Sequence, residues 1–195
     1  MSYDWLLVGL GNPGNGYAMN RHNIGFMVVD ALLSGPAMFK SKYKSHIAEA
    51  QVGGMRTLLM KPQTFMNISG EAVREVAAFY KIEPERIAVF HDELDLPPGQ
   101  LRIKQGGGHG GHNGLKSIDA HLGTKDYWRL RLGIGHPGHK DEVSPYVLSD
   151  FSKADQNTWL PDFIGAVTRE LPAFLKGDDS LMMTRVNEFM KPAKA

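Results

Sequence analysis

Trp5-Leu6-Leu7-Val8-Gly9-Leu10-Gly11-Asn12-Pro13-Gly14 is the stretch that decides the fold class. Residues 5–8 are continuously apolar and stop at glycine, as expected of a strand covered on both faces rather than one with a wet side. The glycines and proline that follow make a turn. Ile24, Met27, Val28, Ala31 and Leu32 then recur at helical spacing. A buried strand crossing over to an amphipathic helix is the building unit of a layered α/β protein. Ile87-Ala88-Val89-Phe90 is a second run of the same kind. Both runs are expected at the centre of the sheet.

The rest of the chain extends this pattern. Val73, Val76, Ala77 and Tyr80, and again Leu115, Ile118 and Leu122, repeat at helical spacing. Gly53-Gly54 separates two strand-like runs and reads as a hairpin turn. Leu101-Arg102-Ile103-Lys104 and Leu130-Arg131-Leu132-Gly133-Ile134 alternate apolar with basic or small residues, the pattern of strands with one solvated face. Ser152 to Lys176 reads as largely helical, with Pro161 and Pro172 starting, kinking or ending segments, and a last helix is expected over Ser180 to Met190. With no internal repeat and no dividing linker, residues 1–195 form one expected α/β domain: a mixed twisted sheet with helices on both faces.

The composition of the chain excludes several classes of protein. At 195 residues, 42% hydrophobic and 22% charged, it is neither disordered nor a coiled coil. It contains no cysteine, so disulfides, thiol nucleophiles and thiolate metal sites are ruled out. The apolar stretch near the N-terminus ends at Leu10, too short for a signal sequence or a membrane span, and a cytoplasmic location is expected. A formal net charge of +1 argues against general stickiness towards nucleic acid but permits a local basic patch.

Chemistry-bearing residues gather where strands give way to helices. Gly9-Leu10-Gly11-Asn12-Pro13-Gly14 satisfies the dinucleotide fingerprint letter for letter. That fingerprint needs a helix to open at the glycines, whereas here the turn continues and helical spacing starts only near Asn23. No nucleotide cofactor is expected. His22 lies just before that helix, near the carboxyl end of the first strand, where open α/β folds place ligands. His91-Asp92-Glu93-Leu94-Asp95 follows the second central strand, so parallel strands would bring Asp92 to the same edge. A carboxylate bonded to an imidazole fixes its tautomer and raises its pKa, which makes a general base for water. The same segment also fits a solvated acidic loop, or a divalent-metal site of its three carboxylates and His91, while a rival metallohydrolase reading uses His91 and Asp92 with His109 and His112. The segment lacks the EF-hand spacing, and no HExxH is present.

Gly106-Gly107-Gly108-His109-Gly110-Gly111-His112-Asn113-Gly114 holds six glycines in nine residues and leads into a helix. It lacks the Gly-Lys-Ser/Thr ending of a P-loop. Asn113 is expected as the N-cap of that helix, or as an amide facing a cleft and able to donate to an oxyanion. Phe65-Met66-Asn67 precedes a helix start at Ser69 and adds an amide beside an aromatic and a flexible apolar side chain. Asn12, Asn23, Asn67 and Asn113 thus make four amides in turns or at helix starts. With one His, one Asp and no G-x-S-x-G serine, the set suits water attack on a peptide-like substrate. By period-two geometry Arg102 and Lys104 share one face and Arg129 and Arg131 another, so neighbouring strands would present a basic stripe to phosphates. The same residues also fit a solvated sheet face. Lys40, Lys42 and Lys44 alternate too, extending the stripe or merely solubilising the surface.

Together these segments resemble the bacterial peptidyl-tRNA hydrolase family. The resemblance rests on six segments in family order: Val8-Gly9-Leu10-Gly11-Asn12-Pro13-Gly14, Arg21-His22-Asn23, residues 61–70 (Lys-Pro-Gln-Thr-Phe-Met-Asn-Ile-Ser-Gly), residues 91–99 (His-Asp-Glu-Leu-Asp-Leu-Pro-Pro-Gly), the glycine run through Lys116, and residues 129–137 (Arg-Leu-Arg-Leu-Gly-Ile-Gly-His-Pro). It implies a monomeric, metal-independent and cofactor-free esterase that cleaves peptide from the 3′ ribose of tRNA. By that resemblance His22 is the general base and Asp92 its orienting partner. Asn12, Asn67 and Asn113 bind the peptide portion and position water or the oxyanion, while Met66, Tyr17, Asn23 and His112 line the cleft. Lys104 and Arg131 grip a tRNA phosphate. The connection Ser34-Gly35-Pro36-Ala37-Met38-Phe39 is short beside the family pattern. After residue 150 the resemblance is only in being helical, and Met182, Met183 and Met190 are expected to pack as core.

Overall fold

β1 (Trp5–Gly9) is buried along its whole length, lying parallel to β4 (Met55–Pro62) on one side and β5 (Ile87–Glu93) on the other in the computed structural model, which describes residues 2–34 and 37–191. Residues 35 and 36 of the short connection lie outside the described residues, as do residues 192–195. The remaining strands are β2 (Lys40–Lys42), β3 (Ser45–Val52), β6 (Leu101–Gln105) and β7 (Trp128–Gly133). They form one seven-stranded sheet in the order β2-β3-β4-β1-β5-β7-β6. The four central strands are parallel, and the outer β2, β3 and β6 run antiparallel to their neighbours. The expected mixed sheet and the β3–β4 hairpin at Gly53-Gly54 are therefore present.

Helices cover both faces, which is why β1 carries no polar alternation. Trp5 and Leu7 point into a core with α1 (Ile24–Leu32) and α6 (Trp159–Leu175), where Val28, Phe163 and Phe174 meet them. Leu6 and Val8 point the other way, towards α2 (Ser69–Phe79) and α3 (Asn113–Leu122), among Val73, Val76 and Ile118. At about 25 cal/mol per Å² of buried apolar area, a strand buried on both sides contributes more than an edge strand of the same length.

α1 lies unusually close to the sheet. A Cβ on Gly9 would collide with the Gly25 carbonyl, and one on Gly25 with backbone of Leu10 and Phe90. These glycines let helix and strand meet backbone to backbone, and so draw the residues just before α1 down onto the ends of β1 and β5.

Some boundaries differ from the sequence reading. β5 runs on to Glu93, so Asp92 stands inside the strand rather than after it. The helical stretch after Ser152 divides into α5 (Lys153–Asn157) and α6 at Thr158, whose φ of −123° and ψ of −101° break the helix. Pro161 sits in the first turn of α6, where no backbone donor is required. Pro172 falls inside α6, in its last turn. A short α4 (Val143–Val147) precedes them, and α7 (Asp179–Met190) is capped by the Asp178 side chain. Met182 is fully buried in the core, with Met183 and Met190 packed against it, as expected. Asn187 of α7 covers the outer edge of β6, accepting from the Leu101 N–H at 2.8 Å and donating to its carbonyl at 3.0 Å. Lys40 and Lys42 belong to β2, at the opposite edge of the sheet from β6. They blunt that edge and do not extend the basic stripe.

Candidate active site

Because β1 and β5 are parallel neighbours, their carboxyl ends share one edge of the sheet. A single 3-10 turn, Arg21–Asn23, sets His22 there at the entry to α1, and Asp92 rises beside it from β5. His22 Nδ1 and Asp92 Oδ2 are 2.8 Å apart, and both side chains are buried. An ionised carboxylate only accepts, so Nδ1 carries the hydrogen and donates it, which leaves Nε2 with a free lone pair. Burial pushes the His22 imidazolium down, but the charge and hydrogen bond of Asp92 outweigh it and hold the pKa above the ordinary histidine value. Burial likewise opposes the Asp92 carboxylate, yet His22 and His112, by charge and hydrogen bond, keep it well below the usual carboxylate range.

The second oxygen of Asp92 is taken by His112, whose Nε2 lies 2.8 Å from Oδ1. His112, and not Asn113, is the N-cap of α3. Its Nδ1 accepts from the N–H groups of Gly114 at 3.1 Å and Leu115 at 3.3 Å. Asn113 is instead the first residue of the helix, and it lines the cleft. With the cap supplied by histidine, the asparagine amide is not consumed by the backbone.

The cleft in front of this edge has a volume of about 700 Å³. His22, Asp92, Asn12, Asn67, Asn113, Met66 and His112 all line it, so most of the residues expected at the site are assembled in one place. Asn12 accepts from the Met66 N–H at Oδ1, 2.7 Å, and so offers its Nδ2 to the cleft. Two expected lining residues do not line it. Asn23 is buried, and its amide is spent on the backbone of Asn12: Oδ1 accepts from the N–H and Nδ2 donates to the carbonyl, both at 2.9 Å. Tyr17, in its own 3-10 turn, lies outside the lining.

The sequence reading left out the far wall of the cleft. Leu94, Val143, Val147 and Leu148 form it, with Phe65, 60% exposed, at the rim. The i, i+4 spacing of Val143 and Val147 was the available signal. Arg21 ties this wall to the His22 turn: its Nη1 donates to the Tyr146 carbonyl at 3.2 Å, and its guanidinium stacks 4.2 Å above the Tyr146 ring.

His91 faces the opposite side of the sheet from Asp92. Its Nδ1 donates to the Asp92 carbonyl at 2.8 Å, and burial, reinforced by the neighbouring His112, pushes its pKa down to about 3. It is a neutral core imidazole. Among the described residues, the group of three His and acidic side chains whose donor atoms all lie within 4.8 Å of one another is His22, Asp92 and His112, rather than the set His91, Asp92, His109 and His112. They are engaged in the two 2.8 Å hydrogen bonds just described.

The four cations on β6 and β7 stand on one face as expected, with Arg102 opposite Arg131 and Lys104 opposite Arg129. They do not form a uniform stripe. Arg129 is 1% exposed. Its Nη1 donates to the carbonyls of Gly106, Gly107 and Gly108 at 2.6, 2.7 and 3.2 Å, while Nη2 meets Asp119 at 3.0 Å. It is the internal brace of the glycine run, not a phosphate contact. Lys104 and Arg131 remain in a smaller cleft that adjoins the first at His91, Glu93 and His109. Arg131 is held by Glu93 through Nε at 2.7 Å.

A mixed α/β sheet with a buried imidazole–carboxylate pair at its carboxyl edge, facing a cleft lined with amides, defines a hydrolase-type α/β enzyme. Residues 6–194 match the Peptidyl-tRNA hydrolase family. The peptidyl-tRNA hydrolase of Rhizobium meliloti is 56% identical over 183 residues, 93% of this chain and 76% of that protein. That of Rhodospirillum rubrum is 53% identical over 191 residues, 97% of this chain and 78% of that one. The crystal structure of peptidyl-tRNA hydrolase from Acinetobacter baumannii superposes with a TM-score of 0.87 at 38% identity, covering 96% of both chains. The chain belongs to the peptidyl-tRNA hydrolase family.

Proposed function

We propose that this protein hydrolyses the ester between the C-terminal carboxyl of a peptide and the 3′ ribose of tRNA, with a water activated by His22. The observation that carries the reading is the free Nε2 of a buried imidazole whose Nδ1 is anchored 2.8 Å from Asp92, in a cleft lined by three amides. His22 Nε2 takes a proton from water as its oxygen attacks the ester carbonyl. The tetrahedral oxyanion receives hydrogen bonds from Asn12 Nδ2 and the Asn113 amide, and the proton returns to the 3′ oxygen as it leaves. Asn67 and Met66 hold the peptide. The first peptide bond of the substrate meets an amide-lined cleft, and an unblocked aminoacyl-tRNA has no such bond to offer. Lys104 and the terminal nitrogens of Arg131 bind a tRNA phosphate beside the catalytic cleft.

No step in this route calls for a metal or cofactor, and the reading expects a monomer working in the cytoplasm, where peptidyl-tRNA is made. Among the described residues no helix is long and apolar enough to cross a membrane. The test is release of free tRNA from an N-acetylated aminoacyl-tRNA and from its unblocked counterpart, by wild type and His22→Ala, in chelator. The expected result is cleavage of the blocked ester alone, lost at least a hundredfold in the variant. Near-normal turnover by His22→Ala removes it as the base, and abolition by chelator reversed by added metal overturns the mechanism.

A further inference from the structure

The carboxylate of Asp92 is held from two sides, and only one of them belongs to the general base. His112 Nδ1 faces two helix N–H donors, at 3.1 Å from Gly114 and 3.3 Å from Leu115. A nitrogen that accepts carries no hydrogen, so the ring is the tautomer with its hydrogen on Nε2. That hydrogen is donated to Asp92 Oδ1 at 2.8 Å. The start of α3 thus fixes the tautomer of His112, His112 fixes the rotamer of Asp92, and Asp92 fixes His22. The His112 ring stands 5.1 Å from that of His22 and 5.0 Å from that of His91, its side chain only 9% exposed, so it has little room to turn away.

We infer that His112 is a positioning residue for the reaction: capped by α3 in one tautomer, it shares the Asp92 carboxylate with His22 and so sets both the orientation and the basicity of the general base. This inference rests on the reading of His22 as base. A donor on Oδ1 draws charge from the carboxylate and leaves less of it for the imidazolium that forms on His22. Without that donor, Asp92 would hold the proton on His22 more strongly and would be free to rotate. The other ionisable groups lining the cleft are His91, Glu93, Asp95, His109, His136 and Lys140. Only His91 packs directly on the His112 ring, and it stays neutral across the working range.

The two jobs of His112 separate by substitution, because its two nitrogens match different amides. In His112→Asn the shorter side chain keeps an acceptor near the position of Nδ1, and asparagine is a strong N-cap, but nothing reaches Asp92. In His112→Gln the longer side chain brings an N–H to the position of Nε2 and gives up the cap. Both variants are compared with wild type by the pH profile of kcat/KM on the blocked ester and by the His22 imidazole titration followed in NMR. For His112→Asn, the thermal midpoint should hold, kcat should fall at least tenfold, and the His22 titration with the acid limb should move to higher pH. For His112→Gln, the pH profile should return towards wild type while the thermal midpoint drops. A His112→Asn protein with wild-type kcat and an unmoved His22 titration overturns the inference, as does a His112→Gln protein impaired in the same way as His112→Asn. A wild type unable to cleave the blocked ester sinks the parent reading instead, and the NMR titration still judges the coupling.

Discussion

Asn23 and Asn12 are joined by two hydrogen bonds of 2.9 Å each, the side chain of the first clasping both the N–H and the carbonyl of the second. The residue after His22, the proposed general base, thereby holds the loop that carries an amide of the cleft. Asn23→Ala leaves a buried N–H and carbonyl unpaired, at a cost of about 2–4 kcal/mol. For a chain of this size that lowers the thermal midpoint by roughly 5–12 °C. Turnover should fall with it, since Asn12 loses its support. Calorimetry together with a kcat measurement checks both, and an unchanged midpoint would show that the clasp adds nothing.

Only neutral His22 can accept a proton, so kcat/KM should rise with pH and level off above a pKa that Asp92 holds higher than the ordinary histidine value of 6.5. Asp92→Asn removes the carboxylate charge and leaves burial to act alone. The midpoint of the acid limb should then move to lower pH, and kcat should fall about a hundredfold or more as the tautomer is released. A pH–rate profile of both proteins reads the shift. A limb that stays put would mean that another group titrates there.

Lys104 stands on the exposed face of β6 in the smaller cleft beside that of His22. Lys104→Ala should raise KM for the tRNA ester with little change in kcat, and should flatten the salt dependence of binding by about one phosphate contact, a slope change of roughly 0.7–0.9. Titrations at several salt concentrations measure it. An unaltered slope would locate the phosphate elsewhere.

Arg129 is internal, and its loss should register as stability. Arg129→Met takes the cationic partner from Asp119, which keeps only the Tyr127 hydroxyl, and leaves three glycine carbonyls without their donor; breaking a buried pair of this kind costs about 3–5 kcal/mol. Arg129→Lys should rescue little, because one ammonium cannot match a planar fork that meets three carbonyls and a carboxylate. Urea denaturation of the two variants decides it. A variant as stable as wild type would mean that the glycine run stands without its brace.

Much of this was legible in the sequence, for reasons that differ from residue to residue. Trp5 to Val8 lack alternation because both faces of β1 are covered, so composition alone revealed a central strand. His22 and Asp92 could be brought together because two parallel strands end at one edge, a fact of topology rather than of side chains. Arg129 was misjudged because a period of two tells which face a residue takes and nothing about what lies above it; the glycine run and α3 cover that position. Asn113 gave way to His112 as cap because cap preferences are local, whereas His112 is held in place by Asp92, 20 residues away in sequence. Asn23 has the composition of a cleft residue and the geometry of a tie. The wall from Val143 to Leu148 went unseen because a five-residue helix barely declares a period.

The amide of Asn187 meets the N–H and carbonyl of Leu101 as a neighbouring strand would, although it is carried on a helix. α7 is thus a false strand, closing the ladder on the β6 side with the Asn187 amide and with the Met183 sulfur, which accepts from the Ile103 N–H at 3.3 Å. The opposite border, β2, is three residues long and carries two lysines, which discourages any visitor by charge and brevity. One border of the sheet is therefore guarded by mimicry and the other by repulsion, and only the first is undone when the chain is shortened from its C-terminal end. Such a shortened protein would offer a second copy of itself the row of backbone groups that the false strand now occupies.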